Sequence, residues 1–169
     1  MSYKSFAGFY DTFTADVGYK ERAEYMLALF ARFDKVPSLL LDVGCGTGGF
    51  SYQFAENGIE VIGVDPSAEM LSLASARQSL AEKPPIFLCQ SAENLDLYGT
   101  IDCAVSSLDT INHIDSLDKV QETFKRIKNA SRTGLPFRKN SKIKIKTKQV
   151  MIAVSSGAKF AYPNGVKSK

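Results

Sequence analysis

The sequence predicts an α/β fold: a doubly wound, mostly parallel sheet with flanking helices, whose C-terminal strands are incomplete or atypical. Three observations predict it. Leu39-Leu40-Leu41-Asp42-Val43 is a short apolar run of the kind that forms a strand buried on both faces, and it breaks into Gly44, Gly46, Gly48 and Gly49 before a helical pattern begins. Short apolar runs then alternate with segments of helical periodicity as far as Ala130, the order that a parallel sheet with crossover helices requires. Beyond Ala130 that alternation stops.

Ser2 to Phe13 is rich in aromatics, with Tyr3, Phe6 and Tyr10 at helical spacing on one face. Tyr19 to Phe33 follows as an amphipathic helix burying Ala23, Met26, Leu27 and Phe30, ended by Pro37. After the first strand the helical stretch carries Phe50 and Phe54 on one face, and Gly58 is placed to cap its C-terminus. Ile59 to Val64 is the second strand, with Asp65 at its carboxyl end, the edge where such sheets bind ligands. Ser67 can cap the next helix, with Glu69 in its first turn. Pro84-Pro85 separates that helix from a third strand, Ile86 to Gln90. Ile101 to Ser106 reads as the fourth strand, Ser107 to His113 as the loop above it, and Ser116 to Lys128 as a helix burying Leu117, Val120, Phe124 and Ile127.

A chain of 169 residues, 44% hydrophobic and 23% charged, fits one soluble domain. No run approaches ~18 apolar residues and no charged-then-apolar leader opens the chain, so no membrane span and a cytoplasmic setting are expected. Cys45, Cys89 and Cys103 show no pairing or metal-ligand spacing; free buried thiols and no metal site are the reading. The net charge of +3 conceals a split. Residues 1–118 hold seven Lys/Arg against seventeen Asp/Glu; residues 119–169 hold fourteen against one.

The glycine turn is a nucleotide-type pocket, and Gly44, Gly46 and Gly49 formally satisfy the dinucleotide fingerprint, with Asp65 at the distance of a ribose-binding acid. Asp42 argues against a dinucleotide, because a carboxylate beside a pyrophosphate is repelled, whereas a ligand carrying positive charge is favoured.

Asp42-Val43-Gly44-Cys45-Gly46-Thr47-Gly48 resembles the first motif of class I S-adenosylmethionine-dependent methyltransferases, and Val61-Ile62-Gly63-Val64-Asp65-Pro66-Ser67-Ala68-Glu69-Met70-Leu71 resembles the second, correctly spaced from it. The resemblance covers roughly residues 1 to 130 and implies a Rossmann-like core, S-adenosyl-L-methionine as cofactor, and in-line methyl transfer to a nucleophilic acceptor, a small molecule being expected. It implies that Asp65 holds the ribose hydroxyls beside Pro66, that Gly44, Cys45, Gly46 and Gly48 form the cofactor turn, and that Asp42 favours the cationic methionine end. Met70, Ala92 and Glu93 would flank the adenine, although Ser91 stands where the family usually has an acid. Tyr10, and with it Tyr3, would fold over the cofactor, and the loop from Ser107 would lie beside its methionine end. No residue announces itself as a base. His113, the only histidine, is the one catalytic candidate, with Asn112 and Asp115 beside it, against a plain packing or capping role.

Residues 131–169 depart from the family. Arg132-Thr133-Gly134-Leu135 begins the expected turn, but Lys142 to Val154 alternates apolar residues with a mostly lysine face, so it suits an edge strand or a solvated ribbon and cannot replace a central strand. Three readings compete: a nucleic-acid-binding arm, a solvated extension, or a non-native reading of the gene. The third is favoured, with the tail outside the fold and the fourth strand left as an open edge. The alternatives to an active small-molecule methyltransferase are a non-catalytic cofactor-binding remnant, a NAD-type oxidoreductase, and a nucleic-acid methyltransferase using the basic tail.

Overall fold

The computed structural model describes residues 18–32, 36–108, 110–131 and, as backbone, 152–155. Helix α1 (Tyr19–Arg32) leads into strand β1 (Leu39–Val43), helix α2 (Gly49–Glu56), strand β2 (Glu60–Asp65), helix α3 (Ala68–Ala76) and strand β3 (Ile86–Cys89). A short 3₁₀ turn (Ala92–Asn94) precedes strand β4 (Cys103–Ser106), a second 3₁₀ turn (Thr110–His113) and helix α4 (Leu117–Ala130); strand β5 (Ile152–Ser155) closes the described chain. The sheet order is β3-β2-β1-β4-β5, parallel except that β5 runs antiparallel to β4.

The pleat explains the two layers, since successive strand residues face opposite sides. Leu40, Val61, Cys103 and Val105 pack with Phe50 and Phe54 of α2 and Ala23, Met26 and Phe30 of α1. Leu41, Val43, Val64 and Ala104 pack on the other face with Leu95, Ile101 and Ile127 of α4. Local signals place the helix ends. Ser67 accepts the Met70 N–H at 3.2 Å, and Ser116 accepts that of Lys119 at 3.3 Å. Gly58, at φ +83°, closes α2 with two backbone bonds, Gly58 N–H to Ala55 and Ile59 N–H to Phe54.

Four expectations need correction or fall outside. Leu117 is 68% exposed, because it is the first residue of α4 and packing starts a turn later at Val120. Cys89 is exposed at the end of β3, a strand that among the described residues has a neighbour on one side only, while Cys45 and Cys103 are buried; all three are free. The β4 edge is not open: Ile152–Ser155 pairs with it, Ser106 opposite Ile152 and Cys103 opposite Ser155. The physical reason lies in the sequence, since the lysine objection concerns positions 142–148 and Ile152-Ala153-Val154-Ser155 contains no charge. Tyr3, Tyr10 and the lysine-rich stretch lie outside the described residues. Among those residues no helix is long and apolar enough to cross a membrane, and no cluster of metal-ligating side chains occurs.

Candidate functional site

The carboxyl ends of β2, β1 and β4 stand side by side, and the order reverses between β1 and β4, so that the next strand in sequence after β3 lies across β1 from it. Open α/β sheets bind ligands at such a switch point. Three segments meet there: the glycine turn after β1, Asp65 with the turn into α3, and the loop after β4.

Asp42 points to the α2 side of the sheet and is 1% exposed. Its Oδ2 accepts the Ser51 hydroxyl at 2.6 Å, while Oδ1 is buried with no hydrogen-bond partner. Burial, with a smaller push from Asp65 and against the Ser51 bond, raises its carboxyl from 3.8 to about 6. The result is a buried carboxylate with one open acceptor. Asp65 lies at the rim of the same turn. Its Oδ2 accepts the Gly46 N–H at 3.0 Å and its Oδ1 the Ser67 N–H at 2.9 Å, which fixes the carboxylate between two loops and leaves a second lone pair on each oxygen.

The glycine turn spends its N–H groups internally. Gly44 and Cys45 both donate to the Val64 carbonyl, at 2.8 and 3.1 Å; Gly48 donates to Cys45 at 2.9 Å; and Gly46 donates to Asp65. A pyrophosphate is held by such amides, and here four of them are already bound. Four amides of the turn are thus occupied, with one carboxylate, Asp65, at its rim and a second, Asp42, buried on β1; this negative charge suits a cationic nucleoside with vicinal hydroxyls better than a dinucleotide phosphate.

The glycines are also explained by protein packing. A Cβ on Gly44, which sits at φ +73°, would lie 2.2 Å from Thr110 Cγ2, and one on Gly63 would lie 2.7 Å from the Phe87 ring. Phe87 and Tyr52, 5.9 Å apart, also press on Gly48, and Tyr19 presses on Gly49 while meeting Phe50 edge-on. Thus the space beside Gly44 is filled by Thr110. Neither Thr110 nor Phe87 is signalled by any motif; only the adjacency of β1 with β4, and of β2 with β3, reveals them.

Other expected residues distribute as follows. Cys45 is buried with its sulfur toward Gly63, and burial beside Asp42 and Asp65 pushes its thiol far up, so it is not a nucleophile. Cys103 is pushed to about 12 by burial. Met70 is buried on α3, Ala92 is half-buried against the core layer of Leu41, Val43 and Ile127, and Pro66 accepts a contact from Cys89 through its carbonyl. Glu93 faces Lys119 of α4 at 3.9 Å. Ser107 is buried at the start of the post-β4 loop, whereas His113 is exposed at the end of the 3₁₀ turn. Leu108 holds φ +52°, a left-handed conformation rare for a bulky residue and recurrent at functional sites.

Comparison with known proteins identifies the family of the fold. Residues 40–134 match the family described as "Methyltransferase domain". The crystal structure of a S-adenosylmethionine-dependent methyltransferase from Clostridium acetobutylicum ATCC 824 superposes with a TM-score of 0.67 at 30% identity, covering 78% of this chain and 54% of that one. YqeM of Bacillus subtilis (strain 168) is 34% identical over 128 residues, 75% of this chain and 50% of YqeM, so the chain spans about half the length of the curated relatives it matches. Shorter matches reach a ubiquinone biosynthesis O-methyltransferase of Nitrobacter winogradskyi (32% over 75 residues, 44% of this chain, 28% of that protein) and the 18S rRNA (guanine-N(7))-methyltransferase RID2 of Arabidopsis thaliana (40% over 87 residues, 51% and 28%). With the two motifs on the carboxyl ends of β1 and β2 and the family matched over more than half its length, the chain belongs to the S-adenosylmethionine-dependent methyltransferases of class I.

Proposed function

We propose that the chain binds S-adenosylmethionine across the ends of β2, β1 and β4 and moves its methyl group to a nucleophilic small molecule. The observation that carries this reading is the polar inventory of the glycine turn: four N–H groups consumed internally, one carboxylate, Asp65, at the rim, and a second, Asp42, buried on β1 with one unpartnered oxygen. Asp65 would accept the ribose hydroxyls, and the open Oδ1 of Asp42 lies where positive charge is stabilised. Gly46, Gly48 and Cys45 shape the turn, with Pro66, Met70, Ala92 and Glu93 on the adenine side and Ser107 and Thr110 on the other. Bound there, the cofactor supplies an electrophilic methyl carbon on its sulfonium. The protein's task is then to hold the acceptor near 3–3.5 Å and in line. His113, exposed in the post-β4 loop, is the candidate to take an acceptor proton.

A small-molecule acceptor is favoured by the ubiquinone O-methyltransferase relatives. The match to RID2 and the fourteen basic residues after Asp118 favour RNA as a second reading. Native mass spectrometry with S-adenosylmethionine and NAD added separately tests the cofactor: a complex with the former alone is expected, and a NAD complex of equal occupancy would overturn the reading. S-adenosylhomocysteine release in the presence of phenols, amines or ribosomal RNA then separates the two acceptor classes.

A further inference from the structure

We infer that Thr110 is a positioning residue that fixes the methionine end of the cofactor by locking the post-β4 loop onto the glycine turn; this rests on the cofactor reading above. The lock has three parts. The Thr110 methyl occupies the notch left by the missing Cβ of Gly44, which a side chain there would fill at 2.2 Å. Its hydroxyl donates to the Ser107 carbonyl at 2.9 Å, with the Gly44 carbonyl at 3.4 Å also within reach. The Ser107 bond spans Leu108, the non-glycine residue held at φ +52°. A left-handed leucine persists only where its surroundings hold it. Here one hydroxyl ties off that turn while the same side chain seats it against β1.

Strand order gives the lock a direction. Asp65 ends β2, Gly44 follows β1 and Thr110 follows β4, in the spatial order β2-β1-β4. With the ribose at Asp65 and the cationic end drawn toward Asp42 on β1, the amino-acid portion of the ligand must extend toward Thr110 and away from β3. A shift of the post-β4 loop is therefore felt by that portion and not by the nucleoside.

The test compares two ligands by calorimetry: S-adenosylmethionine, and 5′-deoxy-5′-methylthioadenosine, which shares the nucleoside but lacks the amino acid. Thr110→Val keeps the shape and removes the hydroxyl. It should weaken S-adenosylmethionine about three- to tenfold, the loss of one part-buried hydrogen bond, and leave methylthioadenosine within about twofold. Thr110→Ser should restore most of the affinity. Asp65→Ala serves as the contrasting variant and should weaken both ligands. Equal loss of both ligands in Thr110→Val, or no loss of either, would overturn the positioning role while leaving the cofactor reading intact. Failure of the wild type to bind S-adenosylmethionine would overturn both. Where Thr110→Val does not fold, hydrogen exchange on the wild type decides: S-adenosylmethionine should slow the Thr110 amide and methylthioadenosine should not, and equal slowing by the two would refute the inference.

Discussion

Replacing Asp42 by asparagine should change the pH dependence of stability and the choice of ligand together. The Asp42 carboxyl titrates at about 6 in the folded protein against an ordinary value of 3.8, because burial disfavours its charge. The native state thus holds that proton more tightly than the unfolded chain, and stability is lost as pH rises from about 4 through about 6. Fully ionised, the carboxylate costs about 3 kcal/mol. Asparagine carries no such charge. Its oxygen can keep the Ser51 hydroxyl bond, but its amide then stands in the place of the unpartnered Oδ1, at a cost of about 1–3 kcal/mol. At pH 4 the variant should be the weaker protein by about that amount; at pH 8 relief of the charge offsets it, and the variant should equal or exceed the wild type. The packing cost cancels between the two pH values, so the gap between the stability curves should change by about 3 kcal/mol, or roughly 6–12 °C in Tm for a chain of this size. Thermal melts of both proteins from pH 4 to 8 check this, and parallel curves would refute the buried-charge argument. The same variant should weaken S-adenosylmethionine more than S-adenosylhomocysteine, whose sulfur is neutral; equal loss would reduce Asp42 to a scaffold role.

Asp65→Ala should lower S-adenosylmethionine affinity about 10- to 100-fold by removing a charged pair of acceptors, and calorimetry showing no change would sink the ribose assignment. Gly63→Ala should destabilise the fold by about 1–3 kcal/mol through overpacking against Phe87 and the Cys45 sulfur. Phe87→Leu in the same chain should recover part of that loss in urea melts; without recovery the wedge is not the cause. The amides of Ile152–Ser155 should exchange more slowly than random coil because they pair with β4, and Ala153→Pro, which cannot join the ladder, should abolish that protection. Random-coil exchange in the wild type would return β4 to an open edge.

Most of the fold through Ala130 is legible because each element carries its own punctuation. Gly58, Ser67 and Ser116 act within one turn of their own chain, so sequence suffices to find them. Features that depend on which strands become neighbours are not legible in that way. Leu117 has the right spacing for a buried stripe but starts a turn ahead of the packed surface, and Cys89 is exposed on β3, which has no outer partner among the described residues. The tail misleads for a related reason. Its lysines argue against a buried strand, and the argument holds for the residues that carry them, yet four uncharged residues are enough to add a short antiparallel edge. Edge strands need apolar character on one face at most, so a composition-wide reading of residues 131–169 overlooks what four positions can do.

The site was half legible in the same sense. Asp42 and Asp65 announce themselves because their charge and their place at strand ends carry meaning without any tertiary contact. The glycines do not, because a missing Cβ is equally a space for ligand or for protein, and the structure fills those spaces with Thr110, Phe87 and Tyr19. This changes where selectivity resides. If the turn gave its amides to the ligand, the chain would favour phosphate whatever acids stood nearby, since several aligned donors outweigh one carboxylate at the rim. With Gly44 and Cys45 bound to Val64, Gly48 to Cys45 and Gly46 to Asp65, these four amides are taken, and on the proposed reading the carboxylates of Asp42 and Asp65 tip the balance toward a positive ligand. One of them, Asp42, is a charge the fold would be more stable without. On the proposed reading a positive ligand group offsets that charge, so S-adenosylmethionine should stabilise the protein more steeply above pH 6 than below it, and equal stabilisation on both sides would remove that rationale.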